Sequence, residues 1–390
     1  MTLIGMEGSL AIAEAVRLAD ADVVAAYPIT PQTHIVERLA EMVANGELDA
    51  EYIPVESEHS AMSACLGSSA AGARTFTATA GQGLELMHEV VYVASSMRLP
   101  IVMSVANRAL SAPLSVWGDH SDAMAVRDTA WIQVFAENGQ QAHDLVVCAF
   151  RIAEDPRVLF PVMVHLDGFH LSHVVEPFVM LEKEQVDAFL PKYRHPFALD
   201  PGNPVTMGAF GPPAVYTETK KSQDVAFNAT RPVILEAWKK FGEMTGRHYR
   251  PVEPYRVEDA DTLLLTMGSF SETAMVAIDE MRDKGDSVGL LRLRLWRPFP
   301  FDELLQALKG VKTLIVLDRC ISFGGPPGPV CSEIKAALYA QSDRPRIVGF
   351  IGGLGGRDIA VQEFIYIVNR GMELAQAGRE EVTEIIGVRE

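Results

Sequence analysis

The stretch Glu51-Tyr52-Ile53-Pro54-Val55-Glu56-Ser57-Glu58-His59-Ser60-Ala61 changes character partway along. Its first five residues read as a strand. From Ser60 onward small residues predict a helix over 60–73, so Glu58 stands at a helix mouth just past a strand end. The same alternation extends in both directions. Upstream, Val23-Val24-Ala25-Ala26-Tyr27 reads as a buried strand, followed by a helix over 33–45 that stops at Asn45-Gly46, a C-cap signal. Downstream, strand-like runs occur at 75–79, 101–105, 131–135 and 161–165, with a helix opening at Gly83 after the first of them. Strands apolar throughout and separated by helices mean a parallel sheet covered on both faces. The expected fold class is α/β, doubly wound.

The rhythm breaks over 177–213, where prolines and glycines predict an irregular excursion. A helix is expected over 230–245, and Arg250-Pro251-Val252-Glu253-Pro254 reads as a linker. Strands then recur at 262–267, 287–293, 313–317 and 346–351, with helices over 271–284 and 330–339. Two domains are expected, 1–250 and 257–390. The glycine-rich 324–328 and 352–356 runs lack GxGxxG spacing and read as tight turns.

A formal net charge of −17 over 390 residues argues against nucleic acid, whose phosphates need a basic face. No apolar run approaches the ~20 residues of a membrane span, and no signal peptide is read at the N-terminus. A cytoplasmic location is expected. The four cysteines, Cys65, Cys148, Cys320 and Cys331, are too widely spaced for zinc or iron–sulfur ligation, so no metal site is read on this chain.

Several polar residues fall where chemistry is expected. Glu58 is either a carboxylate aimed into a cleft or, like Glu56, an acid favoured by the helix dipole. Tyr27-Pro28-Ile29-Thr30-Pro31 is a rigid turn at a strand's carboxyl end, where open α/β sheets bind ligands. There Thr30 is a ligand contact or a local cap, with Thr33 as a rival cap. Arg108, after the 101–105 strand, is a candidate for bidentate carboxylate binding or an ordinary surface ion pair. Ala80-Gly81-Gln82-Gly83 is a glycine turn, weak by itself as a phosphate loop. Gly118-Asp119-His120-Ser121-Asp122 is a polar loop whose His120 reads as a proton shuttle or a hydrogen-bonded structural histidine, and whose spacing is a weak metal signal.

Taken together, Tyr27-Pro28-Ile29-Thr30-Pro31, Val55-Glu56-Ser57-Glu58-His59 and Arg108-Ala109-Leu110-Ser111-Ala112-Pro113 resemble the α subunit of the pyruvate:ferredoxin oxidoreductase family, the thiamine-diphosphate enzymes that split 2-oxoacids. Leu293-Arg294-Leu295-Trp296-Arg297-Pro298-Phe299 and Val316-Leu317-Asp318-Arg319 extend the likeness to nearly the whole chain. The resemblance implies a pyrimidine-binding domain followed by a smaller domain like the C-terminal one of transketolase. It implies that Glu58 touches the cofactor's aminopyrimidine ring, with Pro28, Gly81 and Gln82 also on the cofactor. Thr30, Tyr27 and Arg108 would meet the 2-oxoacid, Arg108 through its carboxylate. Asp119 and His120 would lie in a loop near the active site. The family usually has serine where Gly81 stands, which removes a hydroxyl contact.

Thiamine enzymes hold the diphosphate through Mg²⁺ with a Gly-Asp-Gly motif, and this sequence has none. The resemblance therefore implies a hetero-oligomer. A β subunit would hold the diphosphate and Mg²⁺. A γ subunit, with or without a ferredoxin-like δ subunit, would complete the assembly, and iron–sulfur clusters of the 4Fe–4S type would sit on partner subunits. Coenzyme A would be co-substrate and ferredoxin or another carrier the electron acceptor, docking on a less acidic subunit. Pyruvate is the first expected substrate, in an anaerobic metabolism. Branched-chain 2-oxoacids, oxalate and arylglyoxylates such as phenylglyoxylate are the alternatives. Outside that reaction stand a non-redox carboligase or decarboxylase subunit and a noncatalytic scaffold.

Overall fold

The structure, a computed structural model, describes residues 3–326 and 328–389; Pro327, in the expected 324–328 turn, lies outside them. Two parallel sheets dominate. The first has seven strands in the order Leu295–Arg297, Ile132–Phe135, Val162–Asp167, Ile101–Asn107, Thr75–Thr79, Val23–Ala26, Glu51–Pro54. Every neighbouring pair is parallel except the first. The five inner strands are buried at every position, as uniformly apolar strands must be when helices cover both faces. Glu51–Pro54 is half-exposed, as befits an edge.

One core lies between this sheet and the helices Gly8–Leu18, Gly139–Ala153 and Arg231–Thr245. It includes Phe76, Phe150 and Trp238, each contributing about 1.5–3 kcal/mol of burial. The other core packs Glu58–Ala70 and His88–Ser96 against the opposite face, around Met62, Cys65, Val91 and Met103. The chain is thus α/β and doubly wound, as its apolar strands predict.

The second sheet runs Thr383–Ile385, Arg346–Ile351, Thr313–Asp318, Thr262–Thr266, Val288–Leu293, Val252–Tyr255. Only its last strand is antiparallel. The residues expected as a linker therefore begin an edge strand, because Val252–Tyr255 alternates enough apolar character to pair with Val288–Leu293. A second difference lies at Leu295–Arg297, which leaves the second sheet to pair with Ile132–Phe135 in the first. The expected 177–213 excursion is partly regular. It contains the end of strand Val175–Val179, paired with Leu3–Glu7, and the helix Lys183–Phe189, and it leads into the helix Pro213–Asn228. That last helix buries only Phe227, so apolar periodicity gave no sign of it. Among the described residues no helix is long and apolar enough to cross a membrane.

Candidate active site

Four adjacent parallel strands, Glu51–Pro54, Val23–Ala26, Thr75–Thr79 and Ile101–Asn107, release their following segments at one edge of the first sheet. Those segments carry Glu58, the 27–31 turn, the 80–83 turn and Arg108. This is the carboxyl edge, where ligands bind in open α/β sheets.

Glu58 opens the helix Glu58–Ala70. Ser57 performs the capping, its Oγ accepting the Ser60 backbone N–H at 3.2 Å, while the Ser60 hydroxyl donates to the exposed Glu56 carboxylate. The two glutamates differ in setting, and Glu58 is the acid of the helix's first turn. Glu56 is exposed and tied to Ser60, whereas Glu58 is only 6 % exposed and its carboxylate accepts no hydrogen bond from any described residue. A Cβ placed on Gly83 would fall 2.6 Å from Glu58 Oε1 and 2.6 Å from Thr79 Oγ1. Glycine at 83 is what lets the carboxylate lie flat against the 80–83 turn. The Thr79 hydroxyl beside it is buried and unpartnered. A buried carboxylate without a donor costs free energy unless something supplies one.

Arg108 and Thr30, far apart in sequence, meet directly. The Arg108 Nη1 donates to the Thr30 carbonyl at 3.0 Å and Nε to the Ser115 carbonyl at 2.8 Å. Nη2 donates to no described residue, so two fixed bonds orient the fork and leave part of its outer edge unused. Arg108 is 8 % exposed; burial draws its pKa below the ordinary value, opposed by Asp122, and the group stays cationic. Neither Thr30 nor Thr33 caps the next helix: its cap position is Gln32, without a side-chain bond. The Thr30 hydroxyl is exposed and bonded to no described residue, and Tyr27 and Pro28 are exposed beside it. Gln32 Nε2 donates to the Tyr27 carbonyl at 2.8 Å and so closes the turn from within. Gln82 reaches the Ser111 hydroxyl at 2.9 Å, tying the 80–83 turn to the segment after Arg108.

Asp122 is the residue that sequence reasoning missed as a keystone. It is completely buried. Its Oδ2 accepts the backbone N–H groups of Gly81, at 3.0 Å, and Arg108, at 2.9 Å. Its Oδ1 accepts Asn107 Nδ2 at 2.9 Å and the Ala123 N–H at 2.7 Å. Burial pushes its carboxyl up to about 7 against the pull of these donors, since no cation pairs with it. Gly81 needs its positive φ of 45° here, and a Cβ there would press on the Arg108 side chain at 3.1 Å. A residue that must accept from two turns at once leaves no mark in a motif; only the polar character of the 118–122 loop pointed toward it.

The other members of that loop face the second sheet. His120 Nε2 meets Asp167 Oδ1 at 2.8 Å, with both residues buried. Asp167 Oδ2 also accepts the Ser269 N–H and hydroxyl, at 2.7 and 2.6 Å, and pairs with Arg319 at 2.6 Å. Burial raises the Asp167 carboxyl, but Arg319 and His120 outweigh it and hold it well below the usual range. His165, stacked on Phe135, falls to about 3 through burial and the neighbouring His120, and so is neutral. Asp119 accepts from Ser121 and from the Gly355 N–H at 3.1 Å. The 352–356 turn is thus part of a joint between the sheets.

Comparison with known proteins places these features in context. The family model for the thiamine-diphosphate-binding part of pyruvate flavodoxin/ferredoxin oxidoreductase matches residues 14–239. That for core domain II of pyruvate:ferredoxin oxidoreductase matches residues 260–364. Pyruvate synthase subunit PorA of Methanocaldococcus jannaschii is 49 % identical over 386 residues, covering 98 % of this chain and 97 % of its own. Ketoisovalerate oxidoreductase subunit VorA of Pyrococcus abyssi is 45 % identical over 376 residues, covering 96 % and 94 %. Among solved structures, a 2-oxoglutarate:ferredoxin oxidoreductase from Magnetococcus marinus, with 2-oxoglutarate, coenzyme A and succinyl-CoA bound, aligns at a TM-score of 0.72 and 20 % identity. The alignment covers 96 % of this chain and 65 % of that one, a likeness of fold.

Proposed function

Because the chain belongs to the pyruvate:ferredoxin oxidoreductase family, we propose that it is the α subunit of a multisubunit, thiamine-diphosphate-dependent 2-oxoacid:ferredoxin oxidoreductase acting on pyruvate. Pyruvate and coenzyme A would become acetyl-CoA and CO₂, with the electron pair leaving through iron–sulfur clusters on partner subunits. The observation that carries this reading is the buried, donor-free Glu58 carboxylate lying against bare Gly83, on the same sheet edge as the partly unused Arg108 fork.

The residues present fit the pyrimidine half of the cofactor. A carboxylate without a protein donor, an unpartnered hydroxyl at Thr79 and a glycine wall form an edge that a flat nitrogen heterocycle satisfies. Bound there, thiamine diphosphate would supply the carbon nucleophile and the electron sink for cleavage next to the 2-oxo group. Glu58 would hold a proton at the ring nitrogen it faces, in a dry setting where such a contact is strong. Arg108 would grip the substrate carboxylate with its unused edge, steadied by the Thr30 and Ser115 carbonyls. Thr30 would offer its free hydroxyl to the 2-oxoacid. Asp122 would set the spacing between the Gly81 turn and Arg108, and so between cofactor and substrate. The diphosphate, Mg²⁺ and clusters fall to partner subunits, since this sequence has neither Gly-Asp-Gly nor closely spaced cysteines.

A branched-chain 2-oxoacid is the second reading, favoured by the 45 % identity to the ketoisovalerate enzyme subunit. Leu114 and Trp117, 74 % and 53 % exposed, flank the Ser115 that holds Arg108, and would meet the substrate's side chain. A pocket discriminates a methylene by only ~1–3 kcal/mol, so few residues need differ between the two specificities. The test is to purify the native complex anaerobically through this chain and assay CoA-dependent viologen reduction. The acids compared would be pyruvate, 2-oxoisovalerate, 2-oxoglutarate, oxalate and phenylglyoxylate. Preference for pyruvate supports the first reading and preference for 2-oxoisovalerate the second. Absence of CoA-dependent turnover with every acid would overturn both.

A further inference from the structure

We infer that Glu7, His34 and His173, none of them a residue proposed for cofactor or substrate, form a binding site for a divalent transition-metal ion of the zinc class. One ligand atom from each residue lies within 4.8 Å of the other two. The three come from separate elements. Glu7 ends the strand Leu3–Glu7, His34 sits in the first turn of the helix Thr33–Ala44, and His173 precedes the strand Val175–Val179. The antiparallel register that sets Glu7 opposite Val175 brings the chain at His173 alongside it.

The donor chemistry is specific. Two imidazoles and one carboxylate are a zinc-type set, and a partly open position for water would complete a tetrahedron. Bonds of about 2.0–2.1 Å put tetrahedral ligands roughly 3.4 Å apart, so an ion would replace the Glu7–His34 hydrogen bond, opening that pair slightly and drawing His173 in by small side-chain rotations. The existing contacts are already of that scale. His34 Nδ1 lies 2.6 Å from Glu7 Oε1, and the two imidazole rings stand 4.5 Å apart at 37°. The Glu7–His34 pair is a hydrogen bond, and the second imidazole is held against it by Phe169, whose ring centroid lies 4.7 Å from that of His173. His173 Nδ1 lies 2.7 Å from Ser172 Oγ, which in turn accepts the Phe169 N–H at 2.9 Å. A proton on Nδ1 in that contact fixes the ring and leaves Nε2 as the ligand atom, much as metal-binding histidines are commonly oriented by a hydrogen bond from their other nitrogen.

Access is suitable as well. The His34 side chain is 43 % exposed and that of Glu7 19 %, enough for an ion to enter and keep a water. The competing soft ligands are out of reach, because all four cysteines are buried and burial holds their thiols well above the ordinary value. An ion here would pin the edge hairpin to the helix that follows the 27–31 turn. Its role would be to steady the turn that carries Thr30.

The experiment uses the full chain, stripped with a chelator and titrated with Zn²⁺ and, separately, with Co²⁺. The expected result is one Zn²⁺ retained per chain through gel filtration, visible d–d absorption of tetrahedral character with Co²⁺, and a thermal midpoint raised by Zn²⁺. His34→Gln and His173→Gln should each weaken binding by more than roughly 10-fold and abolish the thermal shift, with unchanged circular dichroism. Should either histidine variant misfold, Glu7→Gln provides the same comparison on a residue outside both sheets. Failure to retain zinc, or equal retention by wild type and the folded variants, would overturn the assignment.

Discussion

Asp122 and Asp167 are both buried aspartates reached from the first sheet, yet they are solved in opposite ways. Asp167, in the joint between the sheets, has Arg319, His120 and Ser269 around it and is held well below the usual carboxylate range. Asp122, beneath the 80–83 turn and Arg108, has only neutral donors and rises to about 7. The difference separates the two regions. The joint brings charges together and satisfies them within the protein, which secures geometry. The site edge leaves the Glu58 carboxylate, the Thr30 and Thr79 side chains and part of Arg108 without a partner among the described residues.

The strongest test of the joint is Asp167→Asn. Removing a buried charge that faces Arg319 and His120 should cost about 3–5 kcal/mol of stability, read from the denaturant midpoint, while kcat/KM per folded molecule stays near wild type. A variant equally stable but inactive would reverse the roles assigned to the two regions.

The pH dependence of stability separates the two aspartates next. A carboxyl raised from 3.8 to about 7 binds its proton more tightly in the folded state. Its contribution therefore favours folding at low pH and is lost as pH rises from about 4 to about 7, on the order of 4 kcal/mol at most. Asp318, also raised to about 7 by burial, adds in the same direction. Asp167 acts oppositely: its contribution is present above about pH 4 and is lost only in strong acid. Asp122→Asn should flatten the slope between pH 4 and 7 in denaturation series, and an unchanged slope would show that Asp122 is ionised throughout.

At the site edge, Arg108→Ala should lower kcat/KM for the 2-oxoacid by roughly 10²-fold, the loss of a charge-assisted contact worth about 3 kcal/mol. Arg108→Lys should recover little, because an ammonium cannot present the same edge. A smaller effect is expected for Gly83→Ala. The added methyl would displace Glu58 or Thr79 at a cost of about 1–3 kcal/mol, seen as weaker thiamine diphosphate binding in the assembled complex.

Much of this arrangement was legible in the sequence because its determinants are local. Uniformly apolar strands such as Ile101–Asn107 announce a doubly covered sheet, and the Thr30, Glu58 and Arg108 stretches announce themselves by motif. What escaped notice is non-local. Leu295–Arg297 looks like any strand of the second half, and only packing decides that it joins the first sheet. Asp122 acts by accepting from two separate turns, and Glu7, His34 and His173 converge from positions with no ligand spacing. The helix Pro213–Asn228 buries one residue and so carries no periodic signal. His120, open in the sequence to a shuttle role, is engaged with Asp167 in the joint.

The most direct test sets Glu58 against Glu56, two glutamates separated only by Ser57. Glu58→Gln and Glu56→Gln complexes, purified anaerobically and matched for thermal stability, would be compared for kcat in CoA-dependent viologen reduction with pyruvate. A loss of roughly 10²- to 10⁴-fold is expected for Glu58→Gln, the range for a positioned proton-holding group, with Glu56→Gln within about twofold of wild type. Equal effects at the two positions, or a Glu58→Gln complex with full activity, would contradict the assignment of Glu58 to the cofactor.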